Sequence, residues 1–259
     1  MREISLMGNK VSAITVEELN REIGAIIDAG EREPVLNTNI HGMNLAARMP
    51  WLKEFRNSAR IVHCDGVGVM LGARVLGLRI PERITFGDWV PLLAGFAAAR
   101  NYTFYFLGAK PGVAERAAER LRAQHPGVKI VGIHHGFFEK EGPECDAVVA
   151  EINRLRPNIV IVGFGMPAQE LWIRDNWRRI DANVFLAGGG CFDIISGDLP
   201  RAPAWLAEYG FEWLWLSIIR PRRFLGRYLF GNPAFLFRVL AEKLSSPKAR
   251  EAKQPTFKP

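Results

Sequence analysis

One carboxylate is placed where chemistry could occur. Asp65 closes the run Arg60-Ile61-Val62-His63-Cys64-Asp65-Gly66-Val67-Gly68, and the helical pattern Met70, Leu71, Ala73, Val75, Leu76 follows at once. This pattern is a buried strand that turns tightly into a helix. In open α/β sheets, ligands bind in the crevice beyond the carboxyl ends of the strands. Gly66 and Gly68 would let another molecule approach the backbone there. The carboxylate can serve catalysis or binding, or it can simply cap the next helix. Pattern alone leaves both readings open.

Three other stretches invite a chemical reading. Val160 to Ala168 (VIVGFGMPA) resembles a dinucleotide fingerprint, a strand followed by G-x-G-x-x-A. That fingerprint needs an acidic residue at the end of the next strand, and here that strand ends in Ala187-Gly188-Gly189. The missing acid leaves an NAD-dependent oxidoreductase as a distant third reading. The backbone N–H groups at this helix start, with Gln169 one turn in, could meet an anion or a carbonyl, or form a plain turn. Gly108-Ala109-Lys110-Pro111-Gly112 lacks the Gly-Lys-Ser/Thr of a Walker loop and reads first as a simple turn, with contact to a nucleotide as the alternative. His134-His135 reads as structural, because adjacent strand residues point to opposite faces.

Absences narrow the chemistry. The chain has no serine elbow, no paired cysteines and no Asp-x-Asp. Without that carboxylate pair for a metal-bound diphosphate, a nucleotide-sugar substrate would have to be neutralised by arginine, whose planar fork suits diphosphate. The arginines are concentrated at one end. Residues 201–240 carry six arginines and two glutamates, residues 241–259 five basic and two acidic side chains, and together they account for the whole net charge of +7. A polyanion would be met at the C-terminus. The segment interleaves Arg220, Arg222, Arg223 and Arg227 with Trp205, Trp213, Trp215, Phe224, Tyr228 and Phe230. None of its apolar runs reaches the ~18–20 residues of a membrane span. It reads as an appendage lying on an anionic membrane surface, with a packed helical layer as the alternative. A nucleic-acid partner is not expected, since no reader module accompanies the basic cluster.

The elements that must position these residues alternate regularly. Residues 3–14 form a hairpin around Gly8-Asn9, and Thr15-Val16-Glu17-Glu18 is a capping box for a helix ended by Gly30. Strands follow at Val35 to Asn39, 60–64, 102–107, 128–131, 158–162 and 184–187. Helices are expected after Asn39 to about Met49, from the glycines after Asp65, and over 89–99, 113–124, 146–155 and from Pro167. The fold class is α/β, a Rossmann-like, mainly parallel sheet with helices on both faces. Residues 1–200 form this domain. Residues 201–245 form a helical appendage of three pieces, broken at Pro221 and at Gly231-Asn232-Pro233, and residues 246–259 a disordered tail. Three cysteines without metal spacing, and a start lacking the apolar core of a signal peptide, point to a reducing cytosolic setting.

Read together, the motifs resemble the WecG/TagA/CpsF family of bacterial glycosyltransferases. The matching pieces are Asn37-Thr38-Asn39, Asp65-Gly66-Val67-Gly68, Arg83, Phe106-Leu107-Gly108 with Pro111-Gly112, and His135-Gly136-Phe137-Phe138. They continue with Gly163-x-Gly165-x-Pro167-x-Gln169-Glu170-x-Trp172, Gly190-x-Phe192-Asp193, Arg201-Ala202-Pro203, and Pro221-Arg222-Arg223 through Tyr228 to Gly231-Asn232-Pro233. They run in order over roughly residues 1–240.

The resemblance implies an inverting, metal-independent enzyme without cofactor. It would move a sugar from a UDP-sugar donor to a polyprenyl-diphosphate-linked saccharide at the inner face of the cell membrane. N-acetylmannosamine, its uronic acid and glucose all remain open as the sugar. On this resemblance Asp65 is the general base on the acceptor hydroxyl. Asn39, Arg83 and Gln169 are substrate contacts, with Gly108, Gly163 and Gly165 in the substrate-binding turns. Either Asn37 or Thr38 takes the part of a family threonine. Arg220, Arg222, Arg223 and Arg227 clamp the diphosphate or the membrane. Homo-oligomers are compatible with this picture. The competing reading is a non-catalytic, nucleotide-binding, membrane-associated adaptor.

Overall fold

The computed structural model describes residues 2–203, 206 and 212–245. Strands β1 (Arg2–Leu6) and β2 (Asn9–Ala13) pair antiparallel with Ile4 opposite Val11. The connecting Met7 and Gly8 both have positive φ, 52° and 69°, the handedness that suits a two-residue hairpin turn. Helix α1 (Val16–Asp28) starts on the expected box: Glu18 N donates to Thr15 Oγ1, and Thr15 N to Glu18 Oε2 at 2.9 Å. The bond from the Thr15 backbone holds the Glu18 carboxyl below its usual range.

The main sheet is made of β3 (Glu33–Thr38), β4 (Ile61–Cys64), β5 (Thr103–Gly108), β6 (Lys129–His134), β7 (Ile159–Gly163) and β8 (Val184–Ala187). Its order is β4-β3-β8-β7-β5-β6 and every pairing is parallel. All but the edge strand β6 are buried on both faces, which is why they read as largely continuous apolar runs. Successive side chains serve opposite layers. Phe104, Phe106, Ile159 and Ile161 pack under α1, α5 (Phe86–Arg100), α6 (Val113–Gln124) and α9 (Cys191–Ile195). Tyr105, Leu107, Val160 and Val162 pack under α3 (Pro50–Ser58), α7 (Gly142–Leu155) and α8 (Ala168–Asn176). A third cluster joins the hairpin to α2 (Ile40–Ala46), α4 (Val67–Val75) and the C-terminal helix through Leu6, Val11, Met43, Val69, Phe235 and Val239.

The α/β class with a C-terminal helical region is as the sequence implies, but several boundaries differ. Helix α3 is not foreseen: its pattern is short, and one of its three buried residues is Arg56. Helix α5 begins at Phe86 rather than Trp89, α7 at Gly142 rather than Asp146, and β6 runs to His134 rather than Val131. The largest correction is C-terminal. Helix α10 (Glu212–Ile219) ends before Pro221 as expected, but α11 (Pro221–Ser245) runs unbroken through Gly231-Asn232-Pro233. An internal proline costs a helix ~3 kcal/mol, so packing must offset it. Phe235 and Val239 are buried against α4, the Gly231 carbonyl accepts from Asn44 Nδ2 at 2.8 Å, and Arg238 bonds Asn44 Oδ1. Trp205 and the expected tail 246–259 lie outside the described residues.

Candidate active site

The ends of β3, β4, β7 and β8 converge on one cleft of about 830 Å³. At its floor the β3–β4 ladder continues one residue past β4, with Asp65 N donating to Thr38 O at 2.9 Å. This bond fixes the Asp65 backbone beside β3. Its carboxylate Oδ2 accepts from Asn37 Nδ2 at 3.2 Å and from Asn39 Nδ2 at 3.4 Å. Asn39 also caps α2, its Oδ1 accepting from Gly42 N at 3.0 Å. Helix α4 is capped by Gly66 without any side-chain bond. The capping reading of Asp65 therefore gives way to a carboxylate held at the cleft by two amides. Of the two candidates for the family threonine, Asn37 faces Asp65. Thr38 points away and is buried.

Gln169 lines the same cleft from α8. It is fully buried, its Oε1 accepting from Gly165 N (3.2 Å) and Gly189 N (2.8 Å) and its Nε2 donating to Ala187 O (3.2 Å). It thus ties the β7–α8 turn to the β8–α9 turn and forms the cleft wall as a brace. It also occupies the Gly165 N–H that the sequence suggests for an anion. Gly165 and Gly189 have φ of +85° and +59°, conformations that favour glycine. Gly108 and Gly163 lie behind the lining. A Cβ at Gly108 would stand 2.5 Å from Gly163 O, and one at Gly163 2.8 Å from Phe192, so both permit close packing between neighbouring turns.

The positive charge comes from three sides. Arg83 lines the cleft from the loop pinned by Ile84 N to Cys64 O at 2.8 Å. Arg201 lines it from the chain leading to the appendage, paired with Asp88, which also accepts from Thr85 Oγ1 at 2.6 Å. Arg227 reaches in from α11, its guanidinium 5.3 Å from the Tyr228 ring centre. Among the described side chains, Arg220 and Arg222 are not brought to the lining. Arg220 donates to Asp198 O at 3.2 Å, Arg222 is exposed, and the side chain of Arg223 is outside the described residues.

Sequence reasoning missed three contributors. His41, on the first turn of α2, lines the cleft, and burial, followed by Arg227 and Arg56, lowers its pKa to about 4. Arg201 was visible only as part of a motif. Beneath the cleft, Arg56 of α3 meets Glu170 of α8 at 3.3 Å, both buried, with Met166 Sδ 3.6 Å from the same guanidinium nitrogen. Burial lowers the Arg56 pKa, and Glu170 opposes that shift. The signal available was a charge at the apolar spacing of Leu52, Phe55 and Arg56.

The two histidines form no part of this cleft. Because β6 ends at His134, the pair does not alternate across the sheet. The rings lie 4.7 Å apart, in a separate hollow with Glu144 and Glu151. Among the described residues no group of three or more His, Cys, Asp or Glu side chains is arranged to hold a metal.

The fold is a doubly wound α/β domain whose strand-end crevice, the place where open α/β sheets take ligands, holds a carboxylate between two amides and is faced by arginines. The glycosyl transferase WecG/TagA/CpsF family model matches residues 4–249, and the chain belongs to that family. It is 28% identical over 187 residues to a protein of Bacillus subtilis (strain 168), covering 72% of this chain and 71% of the relative. For a Bacillus spizizenii protein the identity is 27% over 203 residues, covering 78% and 77%. For one from Staphylococcus aureus (strain NCTC 8325 / PS 47) it is 26% over 216 residues, 83% of each chain. All three are N-acetylglucosaminyldiphosphoundecaprenol N-acetyl-beta-D-mannosaminyltransferases.

Proposed function

We propose that this protein transfers a sugar from a UDP-sugar to a polyprenyl-diphosphate-linked saccharide, with Asp65 as general base. The observation that carries this reading is the Asp65 carboxylate held by Asn37 and Asn39 in a cleft shared with Arg83, Arg201 and Arg227. Asp65 takes the proton of the acceptor hydroxyl as its oxygen attacks the anomeric carbon. The bond from that carbon to the β-phosphate breaks on the opposite face, which inverts the centre. The guanidinium groups meet the charge that develops on the leaving UDP, the task a metal performs in other transferases. The relatives' names make N-acetylmannosamine the first donor sugar to try and GlcNAc-diphosphate-polyprenol the first acceptor.

An acceptor with a polyprenyl tail resides in a membrane. Among the described residues no helix is long and apolar enough to cross one. Helix α11 exposes Leu225, Leu229, Phe230, Phe237 and Leu244 beside Arg222. In our reading this apolar, basic face lies on the anionic inner surface of the cell membrane, so the enzyme works as a peripheral protein there.

The test is UDP release from UDP-N-acetylmannosamine with and without a GlcNAc-diphosphate-lipid acceptor, in EDTA. Acceptor-dependent release that persists in EDTA and collapses in Asp65→Asn is expected. UDP binding without release from any UDP-sugar would favour the adaptor reading instead. Release abolished by EDTA and restored by a divalent cation would remove the metal-independent step.

A further inference from the structure

We infer that the cleft has a lipid end: the walls formed by Leu71 and Val75 of α4 and by Phe235 and Leu236 of α11 seat the polyprenyl chain of the acceptor. This rests on the transferase reading and adds a binding subsite to it. The four side chains line the same cleft as Asp65 and Arg227. On α4 the cleft is lined from Val67 onward, and Gly68, Leu71, Gly72 and Val75 among those positions keep the i, i+3, i+4, i+7 spacing of a single helical face. That face begins three residues after Asp65 and runs ~10 Å along the helix from Gly68 to Val75.

The opposite wall repeats this order. Arg227 precedes Phe235 and Leu236 on α11 by two helical turns, ~12 Å. The two walls approach closely because α4 has no side chain at Gly72: a Cβ there would stand 2.8 Å from the Phe235 ring and 3.2 Å from Val239. Leu71 and Leu236 nevertheless keep 50% and 52% of their surface in solvent. A sugar nucleotide has no use for such a wall. A polyprenyl diphosphate has a charged head for Arg227 and an apolar tail for the surface that follows. The exposed apolar residues of α11 continue from Leu236 to Leu240 and Leu244, so the tail has a path to the face we place on the membrane.

The probes are monomeric farnesyl diphosphate and inorganic diphosphate, measured by calorimetry on the full chain without bilayer or micelle. Wild type is expected to bind farnesyl diphosphate at least about tenfold more tightly, since burying a few apolar groups is worth that much. Leu71→Asp and Leu236→Asp should each erase the preference, read as the ratio of the two probes' affinities in the same variant. Leu92→Asp, at an exposed apolar site on α5 outside the cleft, should keep it. Leu71→Ser, a gentler change, guards against misfolding and should weaken the preference in part. Equal binding of both probes by wild type overturns the proposal, as does a preference that survives in both aspartate variants. Tail preference without sugar transfer would sink the transferase reading and leave the subsite standing. Transfer without tail preference would sink the subsite alone.

Discussion

The cleft has two halves that are built on different principles. The sheet half is fixed from within: Asp65 by the β3–β4 ladder and two amides, and the glycine turns by Gln169. The α11 half is fixed by docking, through Phe235, Val239 and the bonds around Asn44. The sheet half can hold a reacting group to a fraction of an ångström because strands and backbone bonds set it. The α11 half delivers Arg227 through a helix whose seat depends on a few contacts. If the proposed transfer holds, a site that takes in a nucleotide sugar and a lipid would benefit from one rigid wall and one held by fewer bonds.

The widest test of this division is Asp65→Asn. It keeps the shape of the site and removes the proposed base, so kcat should fall about 10²- to 10⁴-fold with donor affinity and thermal stability nearly unchanged. Steady-state rates beside a melting curve check both parts. A variant with near wild-type kcat would show that the rigid half does not carry the chemistry.

Next in size is Arg56→Met. It strands the Glu170 carboxylate in the interior, and breaking a buried pair on one side costs about 3–5 kcal/mol. Denaturant unfolding should show that loss, and Arg56→Met/Glu170→Met should recover much of it. If the single variant proved as stable as wild type, the pair would not be what supports the sheet half.

A pH titration of stability comes third. His63 is fully buried against Phe86 and Trp89, ring centres 5.4 and 5.2 Å away, and burial lowers its pKa to about 3. The unfolded chain, with an ordinary histidine near 6.5, binds the proton first. Stability from this group is therefore complete above about pH 6.5 and is lost as pH falls toward 3, reaching about 3 kcal/mol by pH 4. His63→Leu should flatten that acid limb; an unchanged limb would assign it to other groups.

The sequence makes the sheet half far more legible than the other. Strand ends, the Asp65 turn and the glycine pairs are local patterns, and residues within a few positions of each other decide them. Whether Gln169 touches substrate or braces two turns depends on Gly189, twenty residues away, and no local pattern carries that. Arg56 was hidden because a short helix with a charge on its inner face has no clear periodicity. The continuity of α11 through Pro233 is a tertiary override: the local rule favours a break, and packing against α4 prevails. The charge count located the basic segment but could not tell Arg227, which reaches the cleft, from Arg220 and Arg222, which do not.

The smallest effect should come from Asn44, the one polar side chain on α2 that joins the two halves at both its atoms. Its Nδ2 donates to the Gly231 carbonyl next to Pro233, and its Oδ1 accepts from Arg238. Asn44→Ala removes both bonds but leaves Phe235 and Val239 buried, so the docking of α11 should weaken by about 1–2 kcal/mol without being lost. If closure of α11 completes the site, that loss should appear as a several-fold higher KM, with kcat and the melting temperature close to wild type. Asp65→Asn should give the opposite split, a collapsed kcat with binding retained. A fall in kcat for Asn44→Ala as deep as that of Asp65→Asn would mean that the seat of α11 positions the chemistry itself, and the two halves would have to be treated as one rigid unit.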